Sequence, residues 1–143
     1  MKIAIASDHA GFELKENIKK ALVADGIEIL DLGTNSTESV DYPMFGKKCA
    51  VEVAAGRTDR GIVVCGTGIG ISIAANKVKG IRCALCADVG AAEISRKHND
   101  ANMLALGSRT IGADEAIDIT RVWLHTDFEG GRHRIRVDML NEM

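Results

Sequence analysis

The chain has 143 residues and a formal net charge of −2, and 46% of its residues are hydrophobic whereas 3% are aromatic. This length fits one domain, residues 1–143, with a core that must be aliphatic. The low charge and the few aromatic side chains argue against nucleic acid or a membrane as the partner and favour a small molecule.

The first part of the chain alternates between strand and helix patterns. The apolar run from Lys2 to Ala6 predicts a strand that ends in Ser7, Asp8 and His9. It is too short for a signal peptide or a membrane span, so we expect a cytoplasmic protein with free thiols. Helical spacing begins at Phe12 and stops at Gly26. A strand, a polar loop and a helix that begins with Pro43 are predicted next, over 27–32, 33–42 and 43–56.

Residues 61–76 carry the most informative pattern. The β-branched run Ile62–Val64 predicts a strand buried on both faces, and it ends at Cys65. Gly66, Gly68 and Gly70 then allow a sharp turn into a helix over 69–77, whose first N–H groups can bind an anion. These N–H dipoles would favour the thiolate form of Cys65. A buried packing cysteine is the alternative, but three alternating glycines favour the close approach of a ligand.

The second half continues the alternation. Strands are predicted over 81–87 and 103–106, and helices over 88–98, 113–125 and 132–142, the first with Asp88 as its N-cap. Cys83 and Cys86 form a C-x-x-C pair, but an offset of three residues puts their side chains on opposite faces of a strand. Without a second pair, this motif does not support metal binding or redox chemistry.

The order of these elements predicts the fold. Five β/α units without a hairpin signal indicate an α/β protein, a three-layer α/β/α sandwich with a Rossmann-like five-stranded parallel sheet. Ligands of such sheets bind beyond the carboxyl ends of the strands. We therefore expect residues 8–9, 65–70, 88 and 107–109 on one rim. A dinucleotide is disfavoured, because G-x-G-x-x-G is missing from the first turn and Ile71 replaces its third glycine in the later loop.

Three further groups are candidates for chemistry. His98 ends a helix, where the dipole favours the imidazolium form that a general acid needs, although a solvated capping residue is the alternative. Arg132 and Arg136 share one face in the first turns of the last helix and oppose its dipole, so they either bind an anion or form a solvated face. Arg109 is a weaker candidate. His125 and His133 are interpreted as structural or exposed.

These motifs together resemble one family. Ser-Asp-His-Ala-Gly after the first strand, Val-Cys-Gly-Thr-Gly-Ile-Gly, His98-Asn99 and the closing arginines are similar to type B ribose-5-phosphate isomerases and galactose-6-phosphate isomerase subunits. The resemblance implies that Cys65 moves a proton between carbons 1 and 2 of the sugar and that His98 opens its ring. It implies no metal and no cofactor. Some members carry a glutamate where this chain has Ile71, so the cysteine version is expected.

The resemblance also implies the other site residues and the assembly. We count Thr67 with Cys65 and His98 as catalytic. The substrate-binding residues implied are Asp8, His9, Gly66, Thr67, Gly68, Ile69, Gly70, Asn99, Arg109, Arg132 and Arg136. Homodimers, or dimers of dimers, with shared sites are expected, and Asn99 or Arg109 would complete the neighbouring site. In support of a dimer, the helix Ala113–Leu124 carries more than one apolar stripe and would expose a patch on a monomer.

Two classes of function remain open at this level. One is an isomerase of a sugar phosphate, with ribose 5-phosphate, allose 6-phosphate or galactose 6-phosphate as the substrate. The other is a non-catalytic sensor in which the glycine loop only binds a phosphate or a nucleotide. Ionisable residues in the roles of base, acid and phosphate anchor favour the enzyme.

Overall fold

Strands and helices alternate along the chain, which the computed structural model describes over residues 1–143. The strands are Lys2–Ser7 (β1), Glu28–Asp31 (β2), Arg60–Cys65 (β3), Cys83–Leu85 (β4) and Met103–Gly107 (β5). The helices are Phe12–Ala24 (α1), Tyr42–Ala54 (α2), Ile69–Asn76 (α3), Val89–Asn99 (α4), Ala113–His125 (α5) and His133–Asn141 (α6). None of these helices has the length and hydropathy needed to span a bilayer.

The five strands form one parallel sheet in the order β2-β1-β3-β5-β4. Side chains alternate between its two faces, as the period of a strand requires. On β3, Ile62 and Val64 join the core beneath α1, α4 and α5, whereas Val63 and Cys65 join the core beneath α2 and α3. The predicted three-layer α/β/α sandwich with a Rossmann-like five-stranded parallel sheet is confirmed.

The carboxyl ends of the central strands meet at one rim. Ser7 of β1 is in register with Val64, and Cys65 of β3 is in register with Gly107 of β5. The chain leaves β1 toward β2 on one side and returns to β3 on the other, which makes the β1/β3 boundary a topological switch point. Asp8 follows β1 directly, and its N–H donates to the Val64 carbonyl at 3.2 Å. By the rule for open α/β sheets, a ligand is therefore expected beyond this boundary, next to Cys65.

Strand β4 is shorter than the predicted range of 81–87. The Asn102 side chain accepts the Arg82 N–H at 2.8 Å, so a side chain takes the place of a backbone partner before the strand begins. Cys83 packs in the core on the α2/α3 side, and Cys86 packs in the core on the other side. Their predicted placement on opposite faces is confirmed.

The expectation that α5 leaves an apolar patch exposed is wrong. Ala116, Ile119, Trp123 and Leu124 are buried, and Ile117 and Val122 pack against the same core. The physical reason is that α5 lies between α1 and α4, so its several stripes are covered by helices as well as by the sheet. The exposed large apolar side chains lie elsewhere, on α1 to α4, on β4, on α6 and at the two ends of the chain.

Candidate active site

The loop after β3 holds the thiol of Cys65 against backbone amides. The Gly68 N–H donates to Cys65 Sγ at 3.2 Å, and the Ile69 N–H donates to Thr67 Oγ1 at 3.2 Å. Gly68 is the N-cap of α3, and its φ of +76° is a conformation that glycine adopts without strain. The thiol therefore faces the amino end of a helix, where donors can stabilise negative charge.

The glycines of this loop also allow close packing by other parts of the chain. A Cβ at Gly70 would lie 2.5 Å from Cζ of Tyr42, and a Cβ at Gly68 would lie 2.6 Å from the Leu85 side chain. The Tyr42 ring thus lies directly on the start of α3, with its hydroxyl at the same glycine. Sequence reasoning missed Tyr42, whose only signal is its position immediately before Pro43.

Asp8 and His9 line the β1 side of the crevice. Asp8 is buried, and its Oδ1 accepts the Gly11 N–H at 3.0 Å. The Nδ1 atom of half-buried His9 lies 3.1 Å from the backbone nitrogen of Val40, which belongs to the long loop before α2. The loop over residues 33–41 therefore packs against this side of the site and orients the imidazole.

Arg109 lies on the β5 side of the crevice. Its backbone N–H donates to the Gly66 carbonyl at 2.9 Å, and its guanidinium lies over Gly66, with Nη1 3.1 Å from the position of a Cβ there. Arg109 is therefore beside the Cys65 loop of its own chain. This contact does not support the expectation that Arg109 completes the site of the neighbouring subunit.

The other three cysteines are structural. Burial raises the pKa of the Cys49 thiol to about 12 and the pKa of Cys86 to about 11, and burial also raises the pKa of Cys83. A thiol with such a pKa remains protonated at neutral pH and is a poor base or nucleophile. Only Cys65 accepts a hydrogen bond from a loop amide.

His98 and Asn99 lie at the opposite end of the sheet from Cys65. They end α4, and the carbonyls of Asn99 and Asp100 accept hydrogen bonds from Arg82, the residue before β4. The Asn102 carbonyl accepts the Gly61 N–H at 3.1 Å, near the start of β3. Gly61 precedes Cys65 by four residues, which is about 13 Å along a strand.

Helix α6 brings further groups to His98. The ring of His133 stacks on the ring of His98, with centroids 4.2 Å apart and an interplanar angle of 16°. Burial lowers the pKa of His133, and the charges of His98 and Arg132 lower this pKa further. His133 is buried as a structural residue would be, but sequence reasoning missed its contact with His98.

The arginines differ in their partners. Arg57, Arg82, Arg96 and Arg121 form ion pairs with carboxylates. The exposed residues Arg109, Arg132, Arg134 and Arg136 have no ion pair and no hydrogen-bond acceptor for their guanidinium groups within the chain, although Arg134 lies over the Phe128 ring. Three of these four, Arg109, Arg132 and Arg136, are the arginines that the sequence analysis selected as substrate ligands, and they are free to bind an external anion.

The predicted site residues thus form two separate groups in one chain. The rim group consists of Asp8, His9, Cys65, Gly66, Thr67, Gly68, Ile69, Gly70 and Arg109, with Tyr42 added by the structure. The far-end group consists of His98, Asn99, Arg132 and Arg136, with His133 added by the structure. A parallel sheet separates the two groups, so one copy of the chain does not assemble the complete predicted site.

Comparison with known proteins identifies the family. The model of the Ribose/Galactose Isomerase family matches residues 3–140. The chain belongs to this family. It is 50% identical to ribose-5-phosphate isomerase B of Escherichia coli over 139 residues, which are 97% of this chain and 93% of that protein.

Solved structures of family members have the same fold. Clostridium thermocellum ribose-5-phosphate isomerase B matches with a TM-score of 0.98 and 56% identity, over 99% of this chain and 96% of that one. A Mycoplasma genitalium ribose-5-phosphate isomerase B with bound ribulose 5-phosphate matches with a TM-score of 0.95 and 41% identity, over 99% and 94% of the two chains. The resemblance seen in the motifs is confirmed, and the chain is a sugar-phosphate isomerase. The roles of individual residues remain predictions.

Proposed function

We propose that the protein interconverts ribose 5-phosphate and ribulose 5-phosphate through an enediolate, with Cys65 as the base and His98 as the ring-opening acid. The observation that carries this proposal is the Cys65 thiol, which accepts the Gly68 N–H at the start of α3. The choice of sugar rests on the relatives, which are named ribose-5-phosphate isomerase B.

The proton transfer follows from the position of the thiol. In the aldose-to-ketose direction, the Cys65 thiolate removes the proton from C2 of the open-chain sugar. The electron pair left on C2 forms the C1–C2 double bond of the enediolate, and the carbonyl oxygen on C1 takes up the negative charge. A proton then moves from the C2 hydroxyl to the C1 oxygen, and the Cys65 thiol returns its proton to C1. Acid-base help of this kind contributes about 100- to 10,000-fold in rate.

The glycine loop stabilises the enediolate oxygens. The first N–H groups of α3 have no partners within the helix and point toward the same end as the thiol. Thr67 Oγ1 accepts the Ile69 N–H, which leaves the Thr67 hydroxyl proton available as a donor to an oxygen of the intermediate. One such donor is worth roughly 3 kcal/mol of transition-state stabilisation.

The far-end group supplies the remaining roles. His98 protonates the ring oxygen of the cyclic sugar, while a base takes the proton of the C1 hydroxyl, and the ring opens to the aldehyde. Arg132 and Arg136 bind the phosphate, because they are exposed cations without a carboxylate of their own. Asn99 hydrogen-bonds the sugar hydroxyls.

Because the rim group and the far-end group are separate in one chain, we propose that the working unit is a homodimer. The rim group of each copy faces the far-end group of its partner, and a two-fold axis then produces two equivalent sites. Exposed apolar side chains, which a dimer interface could bury, lie both near the rim group and on α6, and they support this arrangement. Ile69, Ile73 and Val89 are exposed near the rim group, and Ile135 and Met139 are exposed on α6.

The substrate assignment is tested by turnover on the three candidate sugars. We expect kcat/KM to be highest for ribose 5-phosphate, followed by allose 6-phosphate and galactose 6-phosphate. Cys65→Ser should bind the substrate but lose at least 100-fold in kcat, whereas Cys86→Ser, at a buried cysteine, should retain activity. Near-normal turnover by Cys65→Ser would contradict the assigned base.

Mixed dimers test the shared site. Cys65→Ser carries an intact far-end group, and His98→Asn carries an intact rim group, so a mixed dimer of the two contains one intact site of two. Up to half of the sites in mixed dimers should then be active. The matched control mixes Cys65→Ser with Arg109→Ala, two changes in the same rim group, which should restore nothing. Equal results from both mixtures after proven subunit exchange would contradict the shared site.

A further inference from the structure

The loop before α6 adds a third ligating side chain to the histidine pair. Single ligand atoms of His98, Glu129 and His133 all lie within 4.8 Å of one another. Glu129 Oε2 is 3.9 Å from His133 Nε2, and the Glu129 side chain is 52% exposed. The Glu129 backbone is anchored, because its N–H donates to the Lys97 carbonyl at 3.1 Å, one residue before His98. Three donors from three different segments therefore converge at one point.

We propose that His98, Glu129 and His133 bind a divalent transition-metal ion of the Zn²⁺ class and that the bound ion blocks His98. Two imidazoles and one carboxylate form a ligand set that zinc uses in proteins, with a fourth position left for water or an anion. Calcium and magnesium are disfavoured, because they prefer sites made only of oxygen ligands.

The geometry requires a small rearrangement of side chains. With bonds of about 2.0–2.1 Å, the ligand atoms of a tetrahedral zinc site lie about 3.3 Å apart, so the cluster has to contract by about 1.5 Å at most. Stacked imidazole rings do not direct their in-plane lone pairs at one point, so one ring must turn. His133 is buried, whereas His98 is only partly buried, and the exposed Glu129 carboxylate is free to follow. Metal binding therefore requires the side chains of His98 and Glu129 to move, while His133 stays in place.

Nearby charges determine how tightly the ion is held. Arg132 directly precedes His133, and Arg136 follows His133 by three residues on the same helix. These cations oppose a second positive charge, which the single carboxylate of Glu129 offsets only in part. We therefore expect an exchangeable, inhibitory ion and not a permanently bound one.

Inhibition rests on the proposed function of His98 as the ring-opening acid. A metal ion bound to its imidazole nitrogen occupies the lone pair that would otherwise hold the transferable proton. The ring nitrogen then cannot donate a proton to the sugar. An ion at this position also competes for the space beside Arg132 and Arg136 where the phosphate is proposed to bind.

Metal binding is measured directly in a Cys65→Ser background, which removes the thiol that could bind the same ions. Titration with Co²⁺, followed by its visible absorption, should give one ion per chain with no thiolate charge-transfer band. Glu129→Gln should weaken Co²⁺ and Zn²⁺ binding at least tenfold. His125→Gln, at an exposed histidine of α5, is the matched control and should change nothing.

Turnover of the protein with Cys65 present gives the second readout. Zn²⁺ should inhibit it reversibly, with recovery on addition of EDTA, and Glu129→Gln should keep its basal activity while resisting Zn²⁺. Equal ion binding by Glu129→Gln and the parent would overturn the metal site and leave the proposed function intact. Binding at the cluster without any loss of ribose 5-phosphate turnover would retain the site and overturn the proposed role of His98.

Discussion

The ion pair between Lys15 and Asp31 offers a sharp test of how burial controls the energetics of this fold. The Lys15 side chain is fully buried, and its ammonium group lies 2.7 Å from Asp31 Oδ2 and 2.9 Å from Glu16 Oε1. Lys19 also donates to Asp31, and the Gly33 N–H donates to Asp31 Oδ1 at 2.9 Å. Burial pushes the pKa of Asp31 upward, but these donors outweigh it and hold the pKa below its usual range.

Asp31→Asn should lower stability by about 3 kcal/mol. Removing one partner of a buried ion pair costs about 3–5 kcal/mol, and the low end applies because Glu16 remains bound to Lys15. For 143 residues, an unfolding entropy of about 2.1 cal/mol/K per residue gives about 0.3 kcal/mol/K, so Tm should fall by about 10 °C. Differential scanning calorimetry at pH 7 measures this change.

Two comparisons make the result decisive. Asp25→Asn breaks the exposed pair with Arg121 and should leave Tm unchanged within the precision of the scan. Lys15→Met in the Asp31→Asn background removes a buried charge that has lost one of its two carboxylate partners, and should raise Tm again. A fall of less than about 3 °C for Asp31→Asn, or a further fall in the double variant, would refute the reasoning.

The same pair has a defined pH dependence. Because the folded-state pKa of Asp31 lies below its unfolded value, the stability it contributes is present above the unfolded value of about 3.9 and is lost as the pH falls through the folded value. The Tm difference between the parent and Asp31→Asn should therefore be full at pH 7 and shrink below about pH 4.

Three other predictions concern the loop, the thiols and His133. Gly68→Ala should lower both the urea midpoint of unfolding and kcat, because Gly68 has φ +76° and a Cβ there would lie 2.9 Å from the Leu106 backbone. The control is Gly80→Ala, where φ is +88° and no atom lies within 4 Å of the added Cβ, so this variant should lose stability only through backbone strain. Iodoacetamide at pH 8 should label Cys65 in the native protein and leave Cys49 unmodified, since burial raises the pKa of Cys49 to about 12; peptide mass spectrometry identifies the site. The lowered pKa of His133 should make Tm fall as the pH drops from 7 to 5, because the neutral imidazole is the form that the fold favours, and His133→Gln should reduce this slope.

Each of these predictions has a contradicting result. Equal midpoints for Gly68→Ala and Gly80→Ala would show that the loop has room for a methyl group. Labelling of Cys49 in the folded state would mean that burial does not suppress its thiolate. A Tm profile between pH 7 and 5 that is unchanged in His133→Gln would assign the dependence to other groups, and His125→Gln is the control expected to retain the slope.

Local signals in the sequence determined the elements and the rim. The β-branched run of β3, the glycines after Cys65 and the N-cap at Asp88 each act within a few residues, and the Asp88 side chain does accept the Ala91 N–H at 2.7 Å. Parallel strands bring their carboxyl ends to one edge, so the meeting of Asp8 with the Cys65 loop followed from the order of elements alone.

The positions of Tyr42 and His133 were decided by the tertiary structure, because their contacts join segments that are distant in sequence. Tyr42 meets Gly70 only because α2 packs on α3, and His133 meets His98 only because α6 packs on α4. The apolar stripes of α5 likewise became interior only when α1 and α4 covered them. The pattern of apolar residues in the sequence predicts that a residue is buried, but it does not predict which neighbouring element covers it.

The sequence by itself thus determined the sheet, the glycine loop and the family, since each depends on short-range patterns and on matching motifs. The separation of His98 from Cys65 was decided by the path of the chain in three dimensions. A helix that connects two parallel strands runs back toward their amino ends, so His98 at the end of α4 lies far from the rim where Asp88 begins that helix. Sequence motifs predict which residues belong to a site, whereas the direction of the chain determines which of these residues lie close together in one subunit.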